Sequence, residues 1–150
     1  MRIAAILTLS LAAFLAVGCA ATPRVNRPLA DDSTGPLVGI KEQLGSDQGP
    51  FVLIVRFTLK DAPEARAEFA RLAQAANDGT AREPGNILYR FSADPADPRR
   101  ITLYEEWRSY DDLRHHLVLT HTTEFITSLG TLTEGDVSIA VLRPLHTRPR

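Results

Sequence analysis

The chain has 150 residues, enough for one domain around a single two-layer core, and 44% of them are hydrophobic. Its 17 basic and 18 acidic residues nearly balance, and the basic ones cluster only at Arg99-Arg100 and in the Arg-containing tail, which excludes nucleic acid as a partner. With Cys19 as the one cysteine, an intramolecular disulfide, a thiol nucleophile and a cysteine metal site are all excluded from the folded domain.

Arg2 supplies a positive charge, and Ile3 to Val17 is an apolar run broken only by Thr8 and Ser10. That is the length of a signal-peptide core and is short for a membrane-spanning helix. The run ends in Leu15-Ala16-Val17-Gly18-Cys19-Ala20, which resembles a bacterial lipobox. Residues 1–18 are therefore expected to be a lipoprotein signal peptide, with Cys19 the acylated first residue of the mature chain. Two or more acyl chains hold a protein stably at a membrane. Ala20 rather than Asp after the cysteine resembles Gram-negative signals for the outer membrane, on the periplasmic side.

Residues 19–49 are rich in proline, glycine and polar residues and read as a tether, with a short ordered piece around Leu37–Leu44. The domain is expected over 50–144, followed by a tail at 145–150. Phe51–Leu59 is almost continuously apolar and β-branched or aromatic, the pattern of a strand covered on both faces. Asp61-Ala62-Pro63-Glu64 opens a helix with Asp61 as its cap, and Ala65, Phe69, Leu72, Ala73 and Ala76 form its apolar stripe. Glu83-Pro84-Gly85 breaks the pattern before a second strand at Asn86–Ser92, and a proline-rich turn leads to a third at Ile101–Arg108. Ser109, with Asp112 three residues later, starts a second helix that restarts at Thr120 after a kink and ends at Gly130. Val137–Leu142 is the last strand, stopped by Pro144.

The order βαββαβ predicts an α+β, ferredoxin-like fold with helices on one face of a four-stranded antiparallel sheet. Two helices cover only one face, yet the first strand is apolar on both, with Val52 and Ile54 on the second. A second copy of the chain is the economical cover, so a homodimer is expected.

The residues Arg82-Glu83-Pro84-Gly85-Asn86-Ile87-Leu88-Tyr89, then Asp97-Pro98, Leu103-Tyr104-Glu105-Glu106-Trp107, and His116-Leu117 with His121 and Phe125, stand in the order and spacing of one family. Over about residues 50–144 the chain resembles the antibiotic biosynthesis monooxygenase (ABM) family. The resemblance implies a dimeric α/β-barrel. It also implies a monooxygenase-like enzyme that oxygenates a small aromatic or quinol-type substrate with dioxygen and without metal or flavin. Other members degrade haem, isomerise small metabolites or have no known activity. A non-catalytic binding or interaction module on the same barrel is therefore the alternative.

The resemblance makes His116, His121 and Trp107 the catalytic candidates, with Tyr89, Tyr104, Glu105 and Phe125 as substrate contacts. Alternation puts Trp107 on one strand face with Leu103 and Glu105, as a pocket wall or a core residue. A carboxylate facing an apolar layer needs a partner or a raised pKa, and Arg56 or Arg90 is the expected partner of Glu105. Asp111 and Asp112 stand four residues before His115 and His116, so simple helical pairs explain part of the histidine cluster. The histidine spacing, with no carboxylate set to complete it, argues against a metal, and no cofactor motif is present. Oxygenase members commonly carry a strand asparagine beside the tryptophan; the third strand here has none, and only Asn77 and Asn86 lie near. No histidine follows His121 in the helix, which disfavours haem degradation.

Overall fold

The computed structural model describes residues 27–145; the expected signal peptide, Cys19 and most of the tail lie outside the described residues. Eight elements follow in chain order: α1 (Pro36–Leu44), β1 (Phe51–Leu59), α2 (Pro63–Thr80), β2 (Asn86–Ala93), β3 (Arg100–Trp107), α3 (Tyr110–His116), α4 (Thr120–Leu132) and β4 (Thr133–Leu142). The strands form one antiparallel sheet in the order β2-β3-β1-β4. With α3 and α4 taken as one broken helix, this is the ferredoxin-like arrangement read from the sequence.

Strand alternation sorts the side chains. Phe51 pairs with Trp107, Leu53 with Glu105, Val55 with Leu103 and Phe57 with Ile101, and these rows face the helices. The rows between them, with Val52, Ile54, Arg56, Tyr104 and Glu106, face the other way. On the helix side the core falls into two clusters. One gathers Leu37, Ile40, Leu44, Phe51, Leu53, Trp107, Tyr110 and Leu113. The other joins Phe57, Leu59, Ile101 and Phe125 to the Phe69, Leu72, Ala73 and Ala76 stripe of α2. Phe69 meets Phe57, Phe91 and Phe125 with ring centroids 5.8, 5.5 and 6.3 Å away, so the aromatic side of α2 is fastened to both sheet and α4.

Several local expectations are corrected. The ordered piece expected at Leu37–Leu44 is α1, started by Pro36 at its first turn, and it packs into the core rather than standing free, burying Leu37, Ile40 and Leu44 on one face. Asp61 does not cap α2; Ala62 occupies the cap, and Asp61 pairs with Arg66 at 3.1 Å. Gly130 does not end α4, because its backbone stays helical and the helix runs to Leu132. β4 consequently starts at Thr133, and Gly135, at φ 68°, lies where its register against β1 shifts between Arg56 and Thr58. Ser109 does cap α3, accepting the Asp112 backbone N–H at 3.2 Å. Among the described residues, no helix is long and apolar enough to cross a membrane.

Candidate active site

A cavity of about 500 Å³ lies between the sheet and α1, α3 and α4. Its walls are largely aliphatic and aromatic, with Leu53, Val55 and Leu103 below, and Leu113, Phe125 and Leu129 above. Glu105, His116, Thr122 and Tyr89 bring polar atoms into this apolar space. Such a space, apolar with a few convergent polar groups, is the usual form of a small-molecule site.

Glu105 is 6% exposed, and Arg56 and Arg90 do not reach it, because strand alternation puts both on the opposite face. Its partner is instead two residues along the same strand: Trp107 Nε1–H donates to Glu105 Oε2 at 2.9 Å. Burial raises the Glu105 pKa; His116 and the Trp107 bond pull it partly back, and Glu83 pushes it up again. Trp107 is fully buried, so its indole backs the site from the core, its ring centroid 4.7 Å from that of His116 with the planes tilted by 45°, rather than forming the cavity wall.

His116 is held from the other side. Its Nδ1 lies 2.7 Å from Glu83 Oε1, and the same oxygen lies 2.9 Å from His121 Nε2. A carboxylate only accepts, so with Glu83 ionised both imidazoles donate to it, which leaves His116 Nε2 as the basic nitrogen of the neutral ring. Thr122 Oγ1 lies against the same ring, 3.3 Å from Nε2 and 3.2 Å from Nδ1. The helical pairs expected for the cluster do not form. Asp112 binds Arg27 and Ser109, Asp111 pairs with Arg114, and His115 Nδ1 lies 3.0 Å from the Pro28 carbonyl.

Glu83 is the residue the sequence reading missed, and it supplies the carboxylate that reading found lacking. It stands 33 residues before His116 and 38 before His121, so no local spacing announces it. The visible signal was the Glu83-Pro84-Gly85 break itself. Gly85 lets the loop touch α3, because a Cβ there would come 2.2 Å from Asp112 Cβ. Glu83, His116 and His121 offer three ligand atoms within 4.8 Å of one another, a set a divalent ion can use. In the structure those atoms already satisfy each other as hydrogen bonds.

The remaining candidates divide. Tyr89 and Phe125 line the cavity, and burial, with Glu105 and Glu83 nearby, raises the Tyr89 hydroxyl well above its usual pKa, so it stays protonated. Tyr104 lies on the far face of the sheet, as a neighbour of Glu105 on the same strand must. His121 does not line the cavity; it reaches His116 through Glu83.

The model of the antibiotic biosynthesis monooxygenase family matches residues 50–128, more than half of the chain. An uncharacterized protein of Synechocystis sp. is 25% identical over 96 residues, 64% of this chain. The chain spans 65% of that relative's length, just under two thirds. Among solved structures, Rv0793 from Mycobacterium tuberculosis is 27% identical with a TM-score of 0.60, over 67% of this chain and all of its own. SnoaB from Streptomyces nogalater, a cofactor-independent oxygenase, is 22% identical with a TM-score of 0.52, over 67% of this chain and 98% of its own, a likeness of fold.

Proposed function

Because the chain belongs to the antibiotic biosynthesis monooxygenase family, we propose that it oxygenates a small phenol or quinol in this cavity, with protein side chains alone handling the proton. One observation carries the reading: His116, its Nδ1 held by Glu83 at 2.7 Å, lines an apolar cavity beside the buried Glu105. Ground-state dioxygen reacts directly only with electron-rich organic anions, so the protein's task is to deprotonate the substrate where water is scarce. His116 Nε2 accepts the hydroxyl proton, and Glu83 stabilises the imidazolium that forms. Glu105, kept towards its protonated form by burial, donates to the substrate's oxygen or to the developing peroxide. For a phenol with a free para position, one atom of dioxygen enters that carbon and the other leaves as water. The ring supplies all the electrons as it becomes a quinone, so no further reductant is required.

The fold is shared with an oxygenase that works without a cofactor, which supports this reading at the level of architecture. Oxygen uptake by the purified protein against a panel of phenols and quinols tests it. A turning-over substrate should lose about 10²–10⁴ in kcat with His116→Ala. Binding, followed through the fluorescence of Trp107, should persist. A folded His116→Ala protein that turns over at the wild-type rate would refute the role of His116. Binding without oxygen uptake across the panel would make the chain a binding module on this fold.

A further inference from the structure

The family match begins at residue 50, one residue before β1, yet part of the cavity wall comes from chain that precedes it. Pro36, Leu37 and Ile40 of α1 line the cavity, and Asp31 and Thr34 reach it from the segment before. We propose that residues 27–44 form a wall, added ahead of the family domain, that decides which substrates fit against His116 and Glu105, with Leu37 and Ile40 as its specificity-determining residues. This rests on reading the cavity as the substrate site.

Leu37 and Ile40 belong to the core cluster that also holds Trp107 and Leu113. Trp107 packs against His116 and bonds Glu105, so α1 stands at the reactive end of the cavity. The α4 and β4 residues Phe125, Leu129 and Val137 line its other parts. The segment is fastened chiefly to the helix that carries His116. Ala30 N–H donates to the Arg114 carbonyl at 3.0 Å, and Arg114 Nε–H returns a bond to the Ala30 carbonyl at 2.9 Å. Arg27 pairs with Asp112 at 2.8 Å, and the Tyr110 hydroxyl donates to the Leu37 carbonyl at 3.2 Å. Arg143, just past β4, closes the far end by donating to the Leu44 carbonyl at 3.1 Å.

Gly35 and Gly45 bracket α1 at φ 69° and 59°, where side chains are strained, so both turns that aim the helix are built into the sequence. The wall and the proposed base are thus positioned by one helix, α3. Leu37 and Ile40 present only hydrocarbon, so against these two side chains a substrate meets nothing but shape. The part of the substrate that lies against them must be apolar, an alkyl or aryl substituent on the hydroxyl-bearing ring.

Two probe series separate the wall from the chemistry, both titrated against Trp107 fluorescence in the full mature chain. Alkylbenzenes from toluene to hexylbenzene report cavity shape alone, since dry apolar cavities take such molecules without any reaction. The matching 2-alkylphenols add the hydroxyl beside the alkyl chain and keep the para carbon free. Ile40→Ala removes three carbons and should shift the best-bound member of both series by two or three methylenes, with about a fourfold gain per methylene newly accommodated. Ile40→Val, less disturbing to folding, should give a smaller shift in the same direction, and Leu37→Ala a shift of its own. Unchanged length profiles in all three variants, with a shifted profile in Leu129→Ala on the opposite wall, would overturn the proposal. Shifted profiles in which phenols bind no better than the alkylbenzenes would uphold the wall and count against the phenol reading.

Discussion

Gly79 tests the Glu83 arrangement without any knowledge of the substrate. It lies in the last turn of α2, and a Cβ there would come 2.4 Å from His121 Cγ, 2.5 Å from Nδ1 and 2.7 Å from Cδ2. These atoms sit at the root and across the face of a rigid ring, so the ring must swing away. Doing so breaks its 2.9 Å bond to Glu83. Overpacking of this kind costs about 1–3 kcal/mol, and a hydrogen bond to a charged group contributes about 1.5–3 kcal/mol. Against these stands the helix preference for alanine over glycine, up to about 1 kcal/mol and less at a helix end. Gly79→Ala should therefore destabilise the protein by about 2–4 kcal/mol on balance. In a His121→Ala background there is no ring to strike, and the same substitution should become neutral or stabilising by up to about 1 kcal/mol. Urea unfolding of the four proteins, followed by Trp107 fluorescence, gives the coupling directly, expected at about 2–5 kcal/mol, well beyond the scatter of independent sites. Additivity within about 0.5 kcal/mol, or a Gly79→Ala protein more stable than wild type, would show that His121 does not sit over Gly79.

Other outcomes follow from the same geometry. Since burial raises the Glu105 pKa, the folded state holds its proton more tightly than the unfolded chain, and that contribution to stability falls as pH rises from the unfolded carboxylate value towards the raised one. Glu105→Gln keeps an acceptor for Trp107 and should gain stability relative to wild type as pH rises through that window; a constant difference from pH 4 to 8 would contradict it. Turnover should survive dialysis against chelator, and added Zn²⁺ should inhibit by taking Glu83, His116 and His121 from their hydrogen bonds; activation by Zn²⁺ would instead make them a metal centre. The sheet face bearing Val52, Ile54 and Leu142 should bury an interface of about 1,600 Å² or more between two copies, and sedimentation showing a monomer at micromolar concentration would refute it. Cys19→Ser should abolish incorporation of labelled palmitate into the precursor, and persistent labelling would end the lipoprotein reading.

Much of the fold was legible because its signals are local. The apolar run at 51–59, the stripe of α2 and the Ser109 cap each lie within a few neighbouring residues, and the order of elements follows from them. The errors arose where a local signal had a tertiary competitor. Gly130 looked like a helix end, yet the chain needs no positive φ there; the positive φ falls at Gly135, inside β4 at its register shift. The ordered piece at Leu37–Leu44 is legible from Leu37, Ile40 and Leu44, spaced at three and four residues, but its packing beside Trp107 is not, because that contact is tertiary.

The candidate site divides along the same line. Glu105 and Trp107 are two apart on one strand, so alternation alone puts them together and turns Tyr104 to the opposite face, away from the site. Glu83 is a different case. It reaches His116 because α2 ends at Thr80, a short loop turns at Gly85, and α3 sits against that glycine at a distance no side chain would allow. None of those conditions has a fixed spacing to His116 in the chain. Each depends on where two elements pack, so the carboxylate that orients the proposed base emerges only once the fold is assembled. That makes Gly79 and Gly85 as informative about the site as the histidines, because they are where the chain gave up a side chain to let Glu83 and His121 close.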